Sequence, residues 1–149
     1  MRRIVFLAAA LVFALSACST PTGGPATPGG SGTIPTTPLD LGNWRTASEA
    51  ATLSAFQQQV TGRYGVGLAL SAVAADLRRS EFACALAPRA PDGRGDPPAQ
   101  ICRRTASSSG CTHTWQVHLF DVSGDQRLTR TRSLYDRSCN SDGLLGGPG

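Results

Sequence analysis

Two alternating runs near the C-terminus constrain the fold of this 149-residue chain more than any other feature. Thr112 to Asp121 (THTWQVHLFD) alternates and is rich in strand formers, and Leu128 to Tyr135 (LTRTRSLY) alternates likewise. Between them Ser123-Gly-Asp125 carries turn chemistry. Successive side chains of a strand point to opposite faces, so two such runs around a turn predict an antiparallel hairpin. A turn centred near residues 124 to 126 sets Trp115 opposite Tyr135 on one face. The same register brings Cys111 and Cys139 together at the open end.

The N-terminus says in which compartment those cysteines live. Arg2 and Arg3 precede an apolar run from Ile4 to Leu15, followed by Leu15-Ser-Ala-Cys18. Positive charge, a short apolar core and small residues read as a cleaved export signal. The run is shorter than the roughly 20 residues a membrane-spanning helix needs. Leu15-Ser-Ala-Cys18 resembles a lipobox, the bacterial lipoprotein motif of Leu, small, small, Cys. The resemblance implies cleavage between Ala17 and Cys18, a diacylglycerol group on the Cys18 sulfur and often a further acyl chain such as palmitate on the new amino group. Thiol is the nucleophile that takes the lipid, and Ser16 and Ala17 are small enough for the peptidase to approach the backbone. Two or more chains give stable anchoring. Ser19, where inner-membrane lipoproteins often carry Asp, favours the outer membrane, with the protein facing the periplasm.

Export makes the remaining cysteines an even set for disulfides: Cys84, Cys102, Cys111 and Cys139. The hairpin register selects Cys111–Cys139. Cys84 and Cys102 flank the Pro/Gly/Asp-rich stretch from Ala87 to Pro98 and close it as a second bridge. A zinc site built from Cys102, Cys111, His113 and His118 is disfavoured. The two histidines are five apart on a strand, so they point to opposite faces, and the chain has no Cys-x-x-Cys pair.

Residues 1–17 are thus read as the signal peptide, and 18–43 as lipidated Cys18 plus a Pro/Gly/Thr-rich linker with little apolar surface to bury. A coil of roughly 20 residues spans on the order of 25 Å. Residues 44–142 form one small domain and 143–149 a tail. Thr46-Ala-Ser-Glu49 has capping-box spacing. Ala50, Leu53, Phe56 and Val60 recur on one helical face after it, and Gly62 and Gly65 bound the end. A second helix runs from about Leu70 to Arg79, with Val73 and Leu77 inside and Asp76, Arg78 and Arg79 as polar companions. Glu81 to Leu86 reads as a strand, and Ala99 to Arg104 is a candidate return beside it. The expected fold is α+β: two N-terminal helices packed on a small antiparallel sheet of about three strands, stapled by disulfides.

The globular part is similar in layout to the small BamE-like lipoproteins of the outer-membrane β-barrel assembly machine. The echoes are the Gly67 to Leu77 helix segment, then Phe82, then the Trp115 strand. The four cysteines and the long loop depart from the machine's own subunit. The resemblance implies a binding module.

Composition excludes other classes. Every basic residue is Arg, which fits a GC-rich coding sequence. Loss of Arg2 and Arg3 with the signal takes the formal charge from +4 to +2. That is no nucleic-acid footprint. Arg127, Arg130, Arg132 and Arg137 are a candidate basic stripe, read first as the solvated face of a strand. No Ser sits in a Gly-x-Ser-x-Gly elbow. The run Ser107 to Gly110 reads as loop, Asp121 and Asp125 as turn residues, and Asp92 and Asp96 lack EF-hand spacing. No catalytic residue, cofactor or metal is expected. The expected partners are the membrane, through the lipid, and an envelope protein or cell-wall component, met by the hairpin face or the Ala87–Pro98 loop. An inhibitor of a periplasmic hydrolase is the competing reading.

Overall fold

The computed structural model describes residues 32–88 and 96–140. In chain order the elements are α1 (Glu49–Arg63), α2 (Leu70–Arg79), β1 (Ala83–Leu86), β2 (Gln100–Ser108), β3 (Cys111–Phe120) and β4 (Arg130–Cys139). The four strands form one antiparallel sheet in sequence order, and the helices pack on one face of it. The fold is therefore α+β with four strands, one more than the sequence suggests. The Cys18 anchor, the linker up to Ser31 and the 143–149 tail lie outside the described residues.

The fourth strand is β2, the candidate return at Ala99–Arg104, lengthened by the serine run. Ser107 and Ser108 complete β2, and Ser108 pairs with Cys111. Only Ser109 and Gly110 remain as the loop, with φ of 53° and 77°. Positive φ at both central residues is the hairpin turn whose twist matches that of the strands. Gly110 supplies it without strain, so a composition that suggests a long loop builds a tight corner.

The β3–β4 connection is longer. The Asp121 carboxylate accepts the backbone N–H groups of Gly124, Asp125 and Gln126, which shapes the turn. Leu128 does not extend β4. It is buried, its N–H donates to Leu68 O at 2.8 Å, and its carbonyl accepts from Gly67 N at 2.8 Å. This connection is thereby sewn to the one between α1 and α2, with Ala69 and Arg127 bridged beside it.

Helix α1 starts at Ser48, whose hydroxyl accepts from Ala51 N at 3.2 Å. The Thr46–Glu49 capping box does not form. Thr46 and Ala47 close a turn on Asn43 O, so the helix begins later and Glu49 is its first residue rather than its third. Thr52, Phe56 and Val60 are the buried residues of α1, four apart on one face. Phe56 stacks on Phe82 at 6.2 Å between centroids. Leu70, Val73 and Leu77 of α2 and Trp115, Val117 and Leu119 of β3 complete the middle of the core.

The core also reaches into the expected linker. Leu39 and Leu41 are buried, and Leu39 N donates to Ser80 Oγ at 2.9 Å. A domain boundary at Trp44 is too late, because two leucines in a Pro/Thr-rich context are enough to dock this stretch on the helices.

Candidate functional site

The sheet has a covered and an uncovered face, and strand parity assigns every side chain to one of them. His113, Trp115, Val117 and Leu119 of β3 are all buried beneath the helices. Thr112, Thr114, Gln116 and His118 alternate with them and are exposed or half-buried. His113 and His118 therefore lie on opposite faces and cannot share an ion. Among the described residues no cluster of His, Cys, Asp or Glu is arranged to hold a metal.

Both disulfides form as the register requires. Cys84 stands opposite Cys102, and Cys111 opposite Cys139. Trp115 faces Tyr135 on the covered side, with ring centroids 5.4 Å apart. His113 is enclosed there rather than exposed. Its Nδ1 lies 2.6 Å from the Tyr135 hydroxyl, and Trp44 packs edge-on against it at 4.7 Å. Burial, then the charges of Arg137 and Arg45, push the His113 pKa below the ordinary value. A neutral imidazole packed among aromatic rings has no open approach for a substrate. The Trp115 Nε1–H is the buried side-chain polar group without a hydrogen-bond partner among the described residues.

Asp76 is a second buried group. The sequence suggests an exposed companion on α2, yet it is 1 % exposed. Arg63 reaches it through Nε at 2.6 Å, Tyr64 donates its hydroxyl at 2.7 Å, and Arg79 adds a third contact. Burial alone raises the Asp76 pKa. The hydrogen bonds from Arg63 and Tyr64 outweigh it and hold the carboxyl below the usual range. Burial, seconded by Asp76, pushes the Tyr64 hydroxyl up. Arg63 Nη2 donates to Asp76 Oδ1 at 3.0 Å and also to Pro35 O at 2.8 Å and Thr37 O at 2.5 Å. Every polar contact of this network is internal, so its work is to clamp the incoming chain.

The uncovered face is the remaining candidate. Register places Ala85, Ile101, His118 and Arg132 in one row and Ala83, Arg103, Gln116 and Leu134 in the next. Arg130 lies beyond, its guanidinium 3.8 Å from the Phe120 ring centroid. Burial, then the charges of Arg132 and Arg103, lower the His118 pKa. Asp136 is the one carboxylate among the outward strand positions, against Arg103, Arg130 and Arg132. At the free edge of β4 this face adjoins an open groove of about 410 Å³, lined by Gln57 and Thr61 of α1 and by Thr131, Arg132, Ser133 and Leu134.

The expected basic stripe is therefore redistributed. Arg130 and Arg132 point outward, Arg137 shares the covered-side parity of His113, and Arg127 donates to Gly67 O at 2.8 Å. Its replacement is a patch across strands, completed by Arg103. The signal for Arg103 was available: a Cys102 turned inward forces its neighbour outward. Of the Ala87–Pro98 loop, residues 89–95 lie outside the described residues. No family model, curated protein or solved structure matches this chain.

Proposed function

We propose that this chain is a lipid-anchored envelope protein that works as a non-enzymatic binding module, using its uncovered sheet face to hold an acidic segment of another envelope protein. The observation that carries the reading is the cationic patch of Arg103, Arg130 and Arg132 around His118, on a face that no described element covers. Charge complementarity selects the partner's sign. The groove beside β4 adds a recess for side chains. The Leu15–Cys18 lipobox and the two disulfides support an exported protein held by Cys18, and Ser19 favours the outer membrane with the domain in the periplasm. The resemblance in sequence layout to BamE-like lipoproteins supports a binding role in outer-membrane organisation.

A photo-crosslinking residue at Thr114, on the uncovered face, is expected to capture an envelope protein through an acidic peptide. The adduct is lost in Arg103→Glu/Arg132→Glu, and the same residue at Ser54, exposed on α1, gives none. An adduct from Ser54 alone, or a Thr114 adduct indifferent to the double substitution, rejects the surface. Capture of a hydrolase whose turnover is blocked would favour the inhibitor reading. Intact-mass measurement of membrane-extracted protein tests the lipid on Cys18.

A further inference from the structure

Three large apolar side chains stand exposed among the described residues: Val66, Leu86 and Val122. Antiparallel pairing puts all three at one end of the sheet. Leu86 closes β1 opposite Gln100, Gln100 faces Leu119, and Val122 lies just past the end of β3. Val66 sits in the α1–α2 connection, which is bonded to the β3–β4 connection through Gly67, Leu68 and Leu128. Among the described residues the opposite end, at the Ser109–Gly110 turn, carries none.

The incoming chain enters at the apolar end. Arg63, the last residue of α1, binds the carbonyls of Pro35 and Thr37 directly beside that connection. From there the chain runs past Ser80, which bonds Leu39 N, to Trp44, which packs on His113 towards the far end. About 15 residues separate Cys18 from this entry, and a coil of that length has a root-mean-square span of about 20 Å. The strands rise about 3.4 Å per residue, so the two ends of β3 are about 30 Å apart. The entry point thus favours the near end meeting whatever surface holds Cys18. Among the described residues charge there is close to balanced, with Asp96, Asp121 and Asp125 against Arg127 and Arg130.

We infer that this end of the domain rests on the lipid surface to which Cys18 is attached, with Val66, Leu86 and Val122 as its apolar contacts. The inference builds on the anchored-module reading. Three small contacts bind weakly on their own, but tethering supplies a high local concentration of lipid. The contact sets an orientation: the strands stand along the membrane normal, and the cationic face looks sideways along the envelope rather than into the bilayer.

The test uses the whole mature chain from Cys18, coupled by that thiol to a maleimide-headgroup lipid in phosphatidylethanolamine/phosphatidylglycerol nanodiscs. Coupling makes the result independent of cellular lipidation, which the intact-mass measurement addresses separately. With a gadolinium chelate on a fraction of the headgroups, the amide signals of Val66, Leu86 and Val122 are expected to lose most of their intensity. Those of Ser109, Gly110 and Asn140 keep theirs. In Val66→Asp/Val122→Asp the chain stays coupled and folded while the gradient flattens. Uniform broadening, strongest loss at the Ser109 end, or a gradient that survives the double substitution overturns the proposal. Protection of the same residues that rises with protein density instead of lipid assigns them to a second copy and overturns it too.

Discussion

On β3 the covered positions His113, Trp115, Val117 and Leu119 alternate with the uncovered Thr112, Thr114, Gln116 and His118. The two histidines share a strand and a chemistry and differ only in parity. His113 is locked among Trp44, Trp115 and Tyr135, while His118 sits half-buried between two arginines on a face that no described element covers. The difference teaches where selection by packing ends. On the covered face each side chain answers to its neighbours' volume, whereas on the uncovered face it is free to answer to a partner.

The comparison breaks most visibly at adjacent residues. Trp115→Ala is expected to cost about 3–5 kcal/mol, because it empties a fully buried site. Thr114→Ala, one residue away, is expected to stay within about 0.5 kcal/mol. Urea unfolding of the two variants checks both. Asp76→Ala leaves Arg63 without its buried partner and is expected to cost about 3 kcal/mol. Arg79→Gln, at the solvent side of the same carboxylate, costs less than about 1 kcal/mol. Replacing Cys111 and Cys139 together by Ser is expected to remove about 2–4 kcal/mol, with the unfolded chain as the main beneficiary.

Acid tests the two histidines together. Both have pKa values lowered by burial and by nearby arginines, so the unfolded chain binds more protons than the folded one. Stability is full above the ordinary histidine pKa of about 6.5 and falls as pH drops through it towards the folded values. His113→Gln and His118→Gln are each expected to flatten this slope, as read from thermal midpoints between about pH 7 and 5. The smallest effect belongs to the uncovered face. Arg103→Gln and Arg132→Gln each shift stability by no more than about 0.5 kcal/mol. An effect above about 2 kcal/mol would mean that the face serves the fold rather than a partner.

Legibility in the sequence follows the same division. The hairpin register was readable because alternation, a turn and two cysteines all agree, and it carried both disulfide pairings with it. The face of His118 was readable from parity alone. Four other features were not. Ser107 and Ser108 look like loop, and only their pairing with β3 makes them strand. Leu39 and Leu41 look like linker because docking depends on Ser80, far along the chain. Asp76 looks exposed because its partners, Arg63 and Tyr64, belong to another helix. The cationic patch escaped because Arg103 comes from a different strand than Arg130 and Arg132, and lateral neighbours in a sheet leave no mark in local spacing.

The Cys84–Cys102 bridge has a consequence for proteolysis. It joins the two strands that flank residues 87–98, and β1 and β2 are paired along the same stretch. A protease cutting there would produce two polypeptides that stay covalently joined and correctly paired, with Cys111–Cys139 intact inside the second. On a gel the nicked protein would run as one band until a reductant splits it. It would keep its core and its cationic face after the cut.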